Sequence, residues 1–165
     1  MNRIIETERL YLRTLNVNDA KSFYLLNLDK AVLKYTGDKP FDSIESAKNF
    51  LENYDQYHKY GCGRWAVINK ENEEFIGWCG IKFTATKNEY DIGFRFFKKH
   101  WNKGYATEAA KSCIEYGINT LKLKEIVGRA LKENLASIKV LKKIGLIYYQ
   151  ELDFERNNWV IYKTK

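Results

Sequence analysis

The sequence predicts an α/β fold in which helices cover a mixed β-sheet. Segments with the alternating pattern of strands are interspersed with segments of helical periodicity, in the inferred order β-α-α-β-β-β-α-β-α-β-β. At the centre of the chain, the stretch from His100 to Ala110 (HWNKGYATEAA) follows a predicted strand and opens a predicted helix. No internal repeat, low-complexity segment or linker interrupts the 165 residues, so we predict one domain over residues 1–165.

The first half of the chain predicts one strand, two helices and a β-hairpin. Residues 5–15 alternate in part between apolar and polar side chains, which indicates a strand. A helix opens at residues 18–19, and a second opens at Ser43, a favourable N-cap residue, and ends at residues 61–63. The predicted hairpin comprises the strand 64–69, the polar turn 70–74 and the strand 75–83.

The second half of the chain predicts strands and helices in alternation. The helix predicted over residues 105–119 carries small side chains on one side, which allows it to lie close to the sheet. Gly145 is well placed to end the following helix as its C-cap. The predicted elements are the strand 90–97, the helix 105–119, the strand 125–131, the helix 135–144 and the closing strands 147–154 and 158–163.

The charge balance of the chain is basic. Lysine and arginine number 28 against 21 acidic residues, which gives a formal net charge of +7. Such a charge favours anionic partners, namely nucleic acid, a membrane surface or a phosphorylated cofactor. The lysines are scattered along the chain and form no single block, so charge alone does not choose among these partners.

Three cysteines, Cys62, Cys79 and Cys113, predict free thiols. Their number is odd and their spacing is not that of a metal site, so we expect neither a disulfide framework nor a bound metal. The first ten residues lack the apolar core of a signal peptide, and no run approaches the ~18 apolar residues of a membrane span. We therefore expect a cytoplasmic protein in a reducing compartment, with no membrane partner.

The loop around Gly104 has the local features of an anion-binding site. The first N–H groups of a helix have no intrahelical partner and carry partial positive charge, so they attract a phosphate. Gly104 lacks a Cβ and allows close approach of the backbone, and Lys103 adds a mobile positive charge. On these residues alone, a helix cap that binds nothing is the alternative interpretation.

The same loop resembles motif A of the GNAT N-acetyltransferases, whose pattern is Gln/Arg-x-x-Gly-x-Gly/Ala. Gly104 and Ala106 match this pattern, whereas Trp101 stands where Gln or Arg is usual and Asn102 where Gly is usual. The ending Gly-Tyr-Ala-Thr-Glu-Ala and the opening Thr-Glu-Arg-Leu-x-Leu-Arg, which begins at Thr7, resemble the RimJ/RimL-type branch, which is ribosomal-protein-alanine acetyltransferase-like.

A second motif extends the resemblance over nearly the whole chain. The segment from Asn134 to Leu146 resembles GNAT motif B, Asn-x-x-Ala/Ser-x-x-x-Tyr-x-Lys-x-Gly-Phe, with Ser137 and Gly145 in matching positions. The departure is Leu141, which stands where many members carry a tyrosine general acid. The two motifs occur in the family's order with a strand between them, a combination more specific than either motif alone.

The resemblance implies a fold and a cosubstrate. The fold is a mixed sheet of about six to seven strands, splayed between the fourth and fifth strands (residues 90–97 and 125–131) and covered by about four helices. The cosubstrate is acetyl-CoA, and the pantetheine arm would lie in the gap, where its amides would satisfy unpaired strand groups. The implied cofactor-binding residues are Phe94, Phe96, Phe97, Trp101, Asn102, Lys103, Gly104, Tyr105, Ala106, Thr107 and Asn134.

The resemblance also implies direct attack of an amine on acetyl-CoA in a ternary complex, with no acyl-enzyme. Ser137 is the predicted donor to the departing CoA thiolate, and Asp91 is the first candidate for the general base. Glu89 and Glu108 are weaker candidates for the same role. Each of these residues has a plainer alternative as a helix cap or a solvated side chain, and Asn134 is a good N-cap residue in any fold.

Three hypotheses for function follow. The first is an acetyl-CoA-dependent N-acetyltransferase whose acceptor is a primary amine, on a small molecule or on a protein N-terminus, including that of a ribosomal protein. The second is a basic nucleic-acid or ribosome-binding module, although no recognised nucleic-acid motif appears and we expect no direct nucleic-acid binding. The third is a catalytically inactive CoA-binding protein, which Leu141 keeps open. A monomer and a homodimer are both compatible with the sequence.

Overall fold

A mixed sheet forms the centre of the computed structural model, which describes residues 2–165. Its eight strands are β1 (Arg3–Glu6), β2 (Leu10–Thr14), β3 (Arg64–Asn69), β4 (Phe75–Thr84), β5 (Glu89–Phe96), β6 (Val127–Leu131), β7 (Ile147–Phe154) and β8 (Asn157–Lys163). The helices are α1 (Ala20–Leu26), α2 (Lys30–Leu33), α3 (Ile44–Glu52), α4 (Gln56–Tyr60), α5 (Tyr105–Asn119) and α6 (Leu135–Lys143). The predicted α/β fold with a mixed sheet is confirmed.

The strand order is β1-β2-β3-β4-β5-β6-β8-β7, and β5 and β6 at its centre are parallel. All other neighbours are antiparallel. The parallel pair shares only two residue pairs, Asp91 with Val127 and Ile92 with Gly128. Beyond Ile92 and Gly128 the two strands diverge, which is the predicted splay.

The first predicted strand is wrong in one respect, because it is two strands. Residues 5–15 are divided into β1 and β2 by a turn at residues 7–9, and the two strands pair antiparallel. The N–H of Thr7 donates to the carbonyl of Leu10 at 2.9 Å and closes this turn. The two strands that diverge are the two segments that were predicted to do so. They are the fifth and sixth strands of eight, because the first predicted strand is two strands.

Two short helices, α2 and α4, are additional to the predicted ones. The Asp29 side chain caps α2 by accepting from the N–H of Ala31 at 2.8 Å. The second predicted helix ends at Glu52, and α4 follows as a separate element that stops at Gly61, which has a left-handed φ of 67°. The α-helices thus number six rather than about four in residues 2–165.

Helices cover both faces of the sheet. Helices α5 and α6 pack on one face, over a core that includes Ile92 and Leu141. Helices α1 and α3 pack on the opposite face, where the core includes Phe23 and Leu51. Successive residues of a strand point to opposite faces, so Asp91, next to Ile92, belongs to the face of α1 and α3.

The three cysteines are free, as predicted, and all are fully buried. The Sγ atoms of Cys79 and Cys113 lie 3.7 Å apart between β4 and α5. Burial raises the pKa of Cys62 to about 11. Burial and the neighbouring Cys79 also raise the pKa of Cys113 well above its ordinary value. Within residues 2–165, no helix has the length and apolar character needed to span a membrane.

Candidate active site

The gap between β5 and β6 opens beyond Ile92 and exposes backbone on both of its sides. Phe94 lies at this gap with a partly buried side chain, and Phe96 is buried in the core beneath α5. Two backbone groups that were predicted to contact pantetheine already have partners. The carbonyl of Phe96 accepts from the indole N–H of Trp101 at 2.9 Å, and the N–H of Phe97 donates to the carbonyl of Ile76 at 3.1 Å.

The loop that follows β5 presents a row of free backbone donors. Gly104 is the N-cap of α5 and has φ 80°, and Asn102 is also left-handed with φ 59°. Among the residues that the structure describes, the N–H groups of residues 102–107 donate to no protein group, while that of Trp101 donates to the carbonyl of Lys98. Six amides at the positive end of a fifteen-residue helix suit a pyrophosphate.

Glu108 in the first turn of α5 is bound to the β1–β2 turn. Its Oε1 accepts from the hydroxyl of Thr7 at 2.6 Å and from the N–H of Arg9 at 2.9 Å, and its Oε2 accepts from Nε of Arg9 at 2.7 Å. Burial alone would raise the pKa of Glu108, but these hydrogen bonds outweigh burial and hold the pKa below its ordinary value. This carboxylate is therefore held in a structural contact between α5 and the hairpin.

Asp91 is ion-paired with Arg64 of β3. The two side chains are 17% and 14% exposed, and Nη2 of Arg64 donates to Oδ2 of Asp91 at 2.5 Å. Nη1 of Arg64 donates to the carbonyls of Gly80 at 2.6 Å and of Asp91 at 2.8 Å. Burial alone would lower the pKa of Arg64, but the charge of Asp91 and its hydrogen bond raise the pKa instead. Sequence reasoning missed Arg64, whose one signal was its position at the start of a predicted strand.

Glu89 forms a second pair of the same kind two residues earlier on β5. Its carboxylate contacts the guanidinium of Arg129 on β6, and the two side chains are 19% and 22% exposed. Glu89 and Asp91 lie on the same face of the strand. Both candidate bases on β5 are therefore held by an arginine from another strand of the sheet, Arg64 of β3 or Arg129 of β6.

Asn134 uses both of its side-chain polar atoms at the start of α6. Its Oδ1 accepts from the N–H of Ser137 at 3.2 Å, and its Nδ2 donates to the hydroxyl of Ser137 at 2.9 Å. Leu141, one turn further on, is 1% exposed and packs on Gly128, where an added Cβ would lie 2.6 Å from Leu141 Cδ2. The position of the usual tyrosine is thus inside the core.

A groove of about 520 Å³ lies on the face of α1 and α3. Its lining is amide, aromatic and charged, and comprises Asn49, Phe50, Asn53, Tyr54, Asp55, Gln56 and Lys82. Lys82 is opposite Asp91 in the β4–β5 register, so their side chains share a face. The hydroxyl of Tyr54 accepts from the N–H of Arg64 at 2.8 Å. The groove therefore adjoins the pair formed by Arg64 and Asp91.

The fold and the site together define a class of protein. A mixed sheet that splays between parallel strands, with a glycine loop and a helix N-terminus at the opening, is the GNAT fold. The pattern of the Acetyltransferase (GNAT) domain family matches residues 9–147, and the chain belongs to this family. It is an N-acetyltransferase, and acetyl-CoA is the acetyl donor of the family. The free amides of residues 102–107 and the open strand edges fit this donor.

Similar proteins carry the same description. The chain is 34% identical over 141 residues to the uncharacterized N-acetyltransferase p20 of Bacillus licheniformis, and the alignment covers 84% of this chain and 79% of p20. It resembles the crystal structure of a GNAT-family acetyltransferase from Bacillus anthracis with TM-score 0.82 and 27% identity, over 96% of each chain. It also shares its fold with the spermidine N-acetyltransferase of Vibrio cholerae in complex with CoA and spermine, with TM-score 0.80 and 17% identity over 95% of each chain.

Proposed function

We propose that the protein transfers the acetyl group of acetyl-CoA to a primary amine by direct attack in a ternary complex. The observation that carries this proposal is the gap between β5 and β6, because β5 leads from the gap into the free amides of residues 102–107. On the opposite side, β5 carries Asp91 next to a groove of about 520 Å³. One strand thus links a site for the donor to a site for the acceptor.

At the end of the site that binds acetyl-CoA, the loop after β5, the strand β5 and the start of α6 each have a role. The pyrophosphate of acetyl-CoA is bound by the backbone N–H groups of residues 102–107, since that of Trp101 donates to Lys98, and Lys103 supplies a flexible positive charge. The pantetheine arm lies along β5 near Phe94, Phe96 and Phe97, where its amides pair with strand groups that β6 leaves open, other than the Phe96 carbonyl and the Phe97 N–H, which already have protein partners. Asn134 orders the start of α6 beside this arm through its hydrogen bonds to Ser137.

The acceptor end of the site receives the amine through the groove. The neutral amine attacks the thioester carbonyl, the C–S bond breaks, and CoA leaves as a thiolate. Asp91 accepts the proton that the amine loses, directly or through a water molecule. The Ser137 hydroxyl donates to the leaving sulfur, and no stronger acid is needed because thiols titrate near pKa ~8.5.

We propose that the acceptor is a small amine or a protein N-terminus. The opening Thr-Glu-Arg-Leu-x-Leu-Arg supports an acceptor of the RimJ/RimL type, and the net charge of +7 supports docking on an anionic assembly such as the ribosome. The spermine held by the Vibrio cholerae relative supports a small amine. A screen that pairs N-terminal peptides with amines of matched length distinguishes the two.

Thermal unfolding with and without acetyl-CoA is the first test, with AMP and NAD as controls. Acetyl-CoA at ~100 times its Kd adds about 2.7 kcal/mol to the free energy of unfolding, which raises Tm by several degrees. Mass spectrometry of the peptide and amine products then identifies the acceptor. The proposal fails if acetyl-CoA gives no shift. Stabilisation by acetyl-CoA without turnover on any amine would indicate a CoA-binding protein without catalytic activity. This is the second candidate function, and it is supported by Leu141, which lies in the core where many members of the family have a tyrosine acid.

A further inference from the structure

The Arg9 side chain makes three contacts with the loop that follows β5 and with the first turn of α5. Its Nη1 donates to the carbonyl of Lys103 at 2.9 Å, its Nε donates to Glu108 at 2.7 Å, and its guanidinium lies 4.4 Å from the ring centre of Tyr105. The backbone N–H of Arg9 adds a fourth contact, to Glu108 at 2.9 Å. Arg9 therefore touches the residue before Gly104, the residue after it and the first turn of α5.

The bond to the Lys103 carbonyl fixes the direction of an amide. In a trans peptide the C=O and the following N–H point in opposite directions across one plane. Because Arg9 holds the carbonyl of Lys103 on the side of the β1–β2 turn, the N–H of Gly104 points away from that turn. This N–H is one of the six free donors of residues 102–107.

Arg9 orients the loop through the geometry of its hydrogen bonds more than through its positive charge. The carboxylate of Glu108 largely cancels the positive charge of Arg9, and the hydroxyl of Thr7 donates to the same carboxylate at 2.6 Å. A lysine at position 9 would keep the charge, but its single ammonium group cannot reproduce a planar guanidinium that donates in two directions. Gly104 accommodates this arrangement, since an added Cβ would lie 3.3 Å from Nη2 of Arg9.

We propose that Arg9 is a positioning residue for the phosphates of acetyl-CoA. Together with Thr7 and Glu108, it fixes the loop so that its free amides converge on the pyrophosphate. The proposal rests on the function proposed above, and it gives a role to Thr7 and Arg9 in the turn between β1 and β2. It also predicts that Arg9 matters for donors that carry a pyrophosphate and not for those that lack it.

The test compares two acetyl donors. Acetyl-CoA carries the pyrophosphate, and S-acetylpantetheine keeps the thioester and the amides but lacks the phosphates. We expect Arg9→Ala to weaken acetyl-CoA binding by about tenfold or more, the change expected for one hydrogen bond to a charged group. The affinity for S-acetylpantetheine, measured by calorimetry or by competition, should stay within about twofold of the wild type. Arg9→Lys should behave like Arg9→Ala, because charge alone does not orient the loop.

Arg3→Ala is the matched control. Arg3 lies on the same hairpin with a similar side-chain exposure, 44% against 42% for Arg9, but its ion pair is with Glu6. We expect it to bind both donors like the wild type. Glu108→Gln removes the charge that holds Arg9 without a change of volume, and it repeats the test with acetyl-CoA if Arg9→Ala does not fold.

Four results would overturn the inference or its basis. Equal weakening of both donors by Arg9→Ala would show that Arg9 supports the fold and not the phosphate site. Full recovery by Arg9→Lys would show that charge and not geometry is required. If the wild-type protein binds S-acetylpantetheine and acetyl-CoA equally, the loop does not hold the pyrophosphate; if it binds neither, the proposed function itself is wrong.

Discussion

The Asp91 carboxylate is ion-paired with the Arg64 guanidinium, and this pair connects the strands β3, β4 and β5. Nη2 of Arg64 donates to Asp91 Oδ2 at 2.5 Å, while Nη1 donates to the carbonyls of Gly80 and Asp91 on β4 and β5. Gly93 provides the space, since a Cβ there would lie 2.6 Å from Arg64 Cζ. The orientation of the carboxylate is thus fixed before any substrate binds.

The first prediction separates the proposed base from a structural ion pair. We expect Asp91→Asn to lower kcat by about 10²-fold or more while acetyl-CoA affinity is retained, because asparagine cannot accept the proton of the amine. Glu89→Gln is the control, since Glu89 is paired with Arg129 on the same face of β5. Both variants lose an ion pair, so both should lose some stability on heating. Similar kcat values in the two variants would remove Asp91 from the mechanism.

A second prediction concerns Gly104 and uses Gly145 as its match. Both glycines have left-handed backbone, with φ 80° and 94°, so alanine strains both by about 1–2 kcal/mol. Only Gly104→Ala should weaken acetyl-CoA binding, by about tenfold or more, because the new Cβ would lie 3.3 Å from Nη2 of Arg9 and would displace the guanidinium that orients the loop. Calorimetric titration of both variants is the measurement. Equal affinities in the two variants would contradict the assignment of the loop.

A third prediction addresses the missing tyrosine acid. Leu141→Tyr should not raise kcat, because the side chain at this position is 1% exposed and packs against Gly128. The larger ring should instead overpack the core and cost about 1–3 kcal/mol of the free energy of unfolding, read from chemical denaturation. Leu141→Met, which conserves volume, should cost less than about 1.5 kcal/mol. A faster Leu141→Tyr enzyme would mean that the tyrosine reaches the leaving sulfur.

A fourth prediction follows from the lowered pKa of Glu108. The folded-state pKa lies below the unfolded value of 4.5, so the contact with Thr7 and Arg9 contributes stability above pH 4.5. This contribution is lost as the pH falls through the lower folded-state pKa. The difference in free energy of unfolding between wild type and Glu108→Gln should therefore favour the wild type at pH 6 and shrink as the pH falls below 4.5. A difference that does not change with pH would show that the ion pair does not carry this contribution.

Local patterns in the sequence predicted the longer elements but not the short helices, the turn that divides β1 from β2 or the contacts between elements. Helix α5 has the predicted bounds, because its periodicity extends over fifteen residues and a glycine precedes it. Helices α2 and α4 have four and five residues, too few for periodicity to be visible. The turn at residues 7–9 has no glycine or proline signal, and it is held by Glu108, which lies about a hundred positions away in the chain.

The candidate site also has parts that could be predicted from the sequence and parts that could not. The amide loop around Gly104 was predictable, since a strand, a glycine and a helix occur consecutively in the chain. The pairing of Arg64 with Asp91 was not, because it depends on the register of three strands and on Gly93, which leaves space for the guanidinium. The cap formed by Asn134 was predictable from residue type, but its second bond, to the Ser137 hydroxyl, depends on the rotamers of both side chains.

The burial of all three cysteines has a practical consequence for measuring the enzyme. Thiol reagents attack the thiolate form, and burial keeps the pKa of Cys62 near 11 and that of Cys113 well above its ordinary value. The folded protein should therefore not react with a chromogenic disulfide. The CoA released in each turnover carries an exposed thiol, which reacts at once. The rate of colour formation then measures acetyl transfer continuously. A slow additional reaction of three thiols per chain indicates that the protein has unfolded.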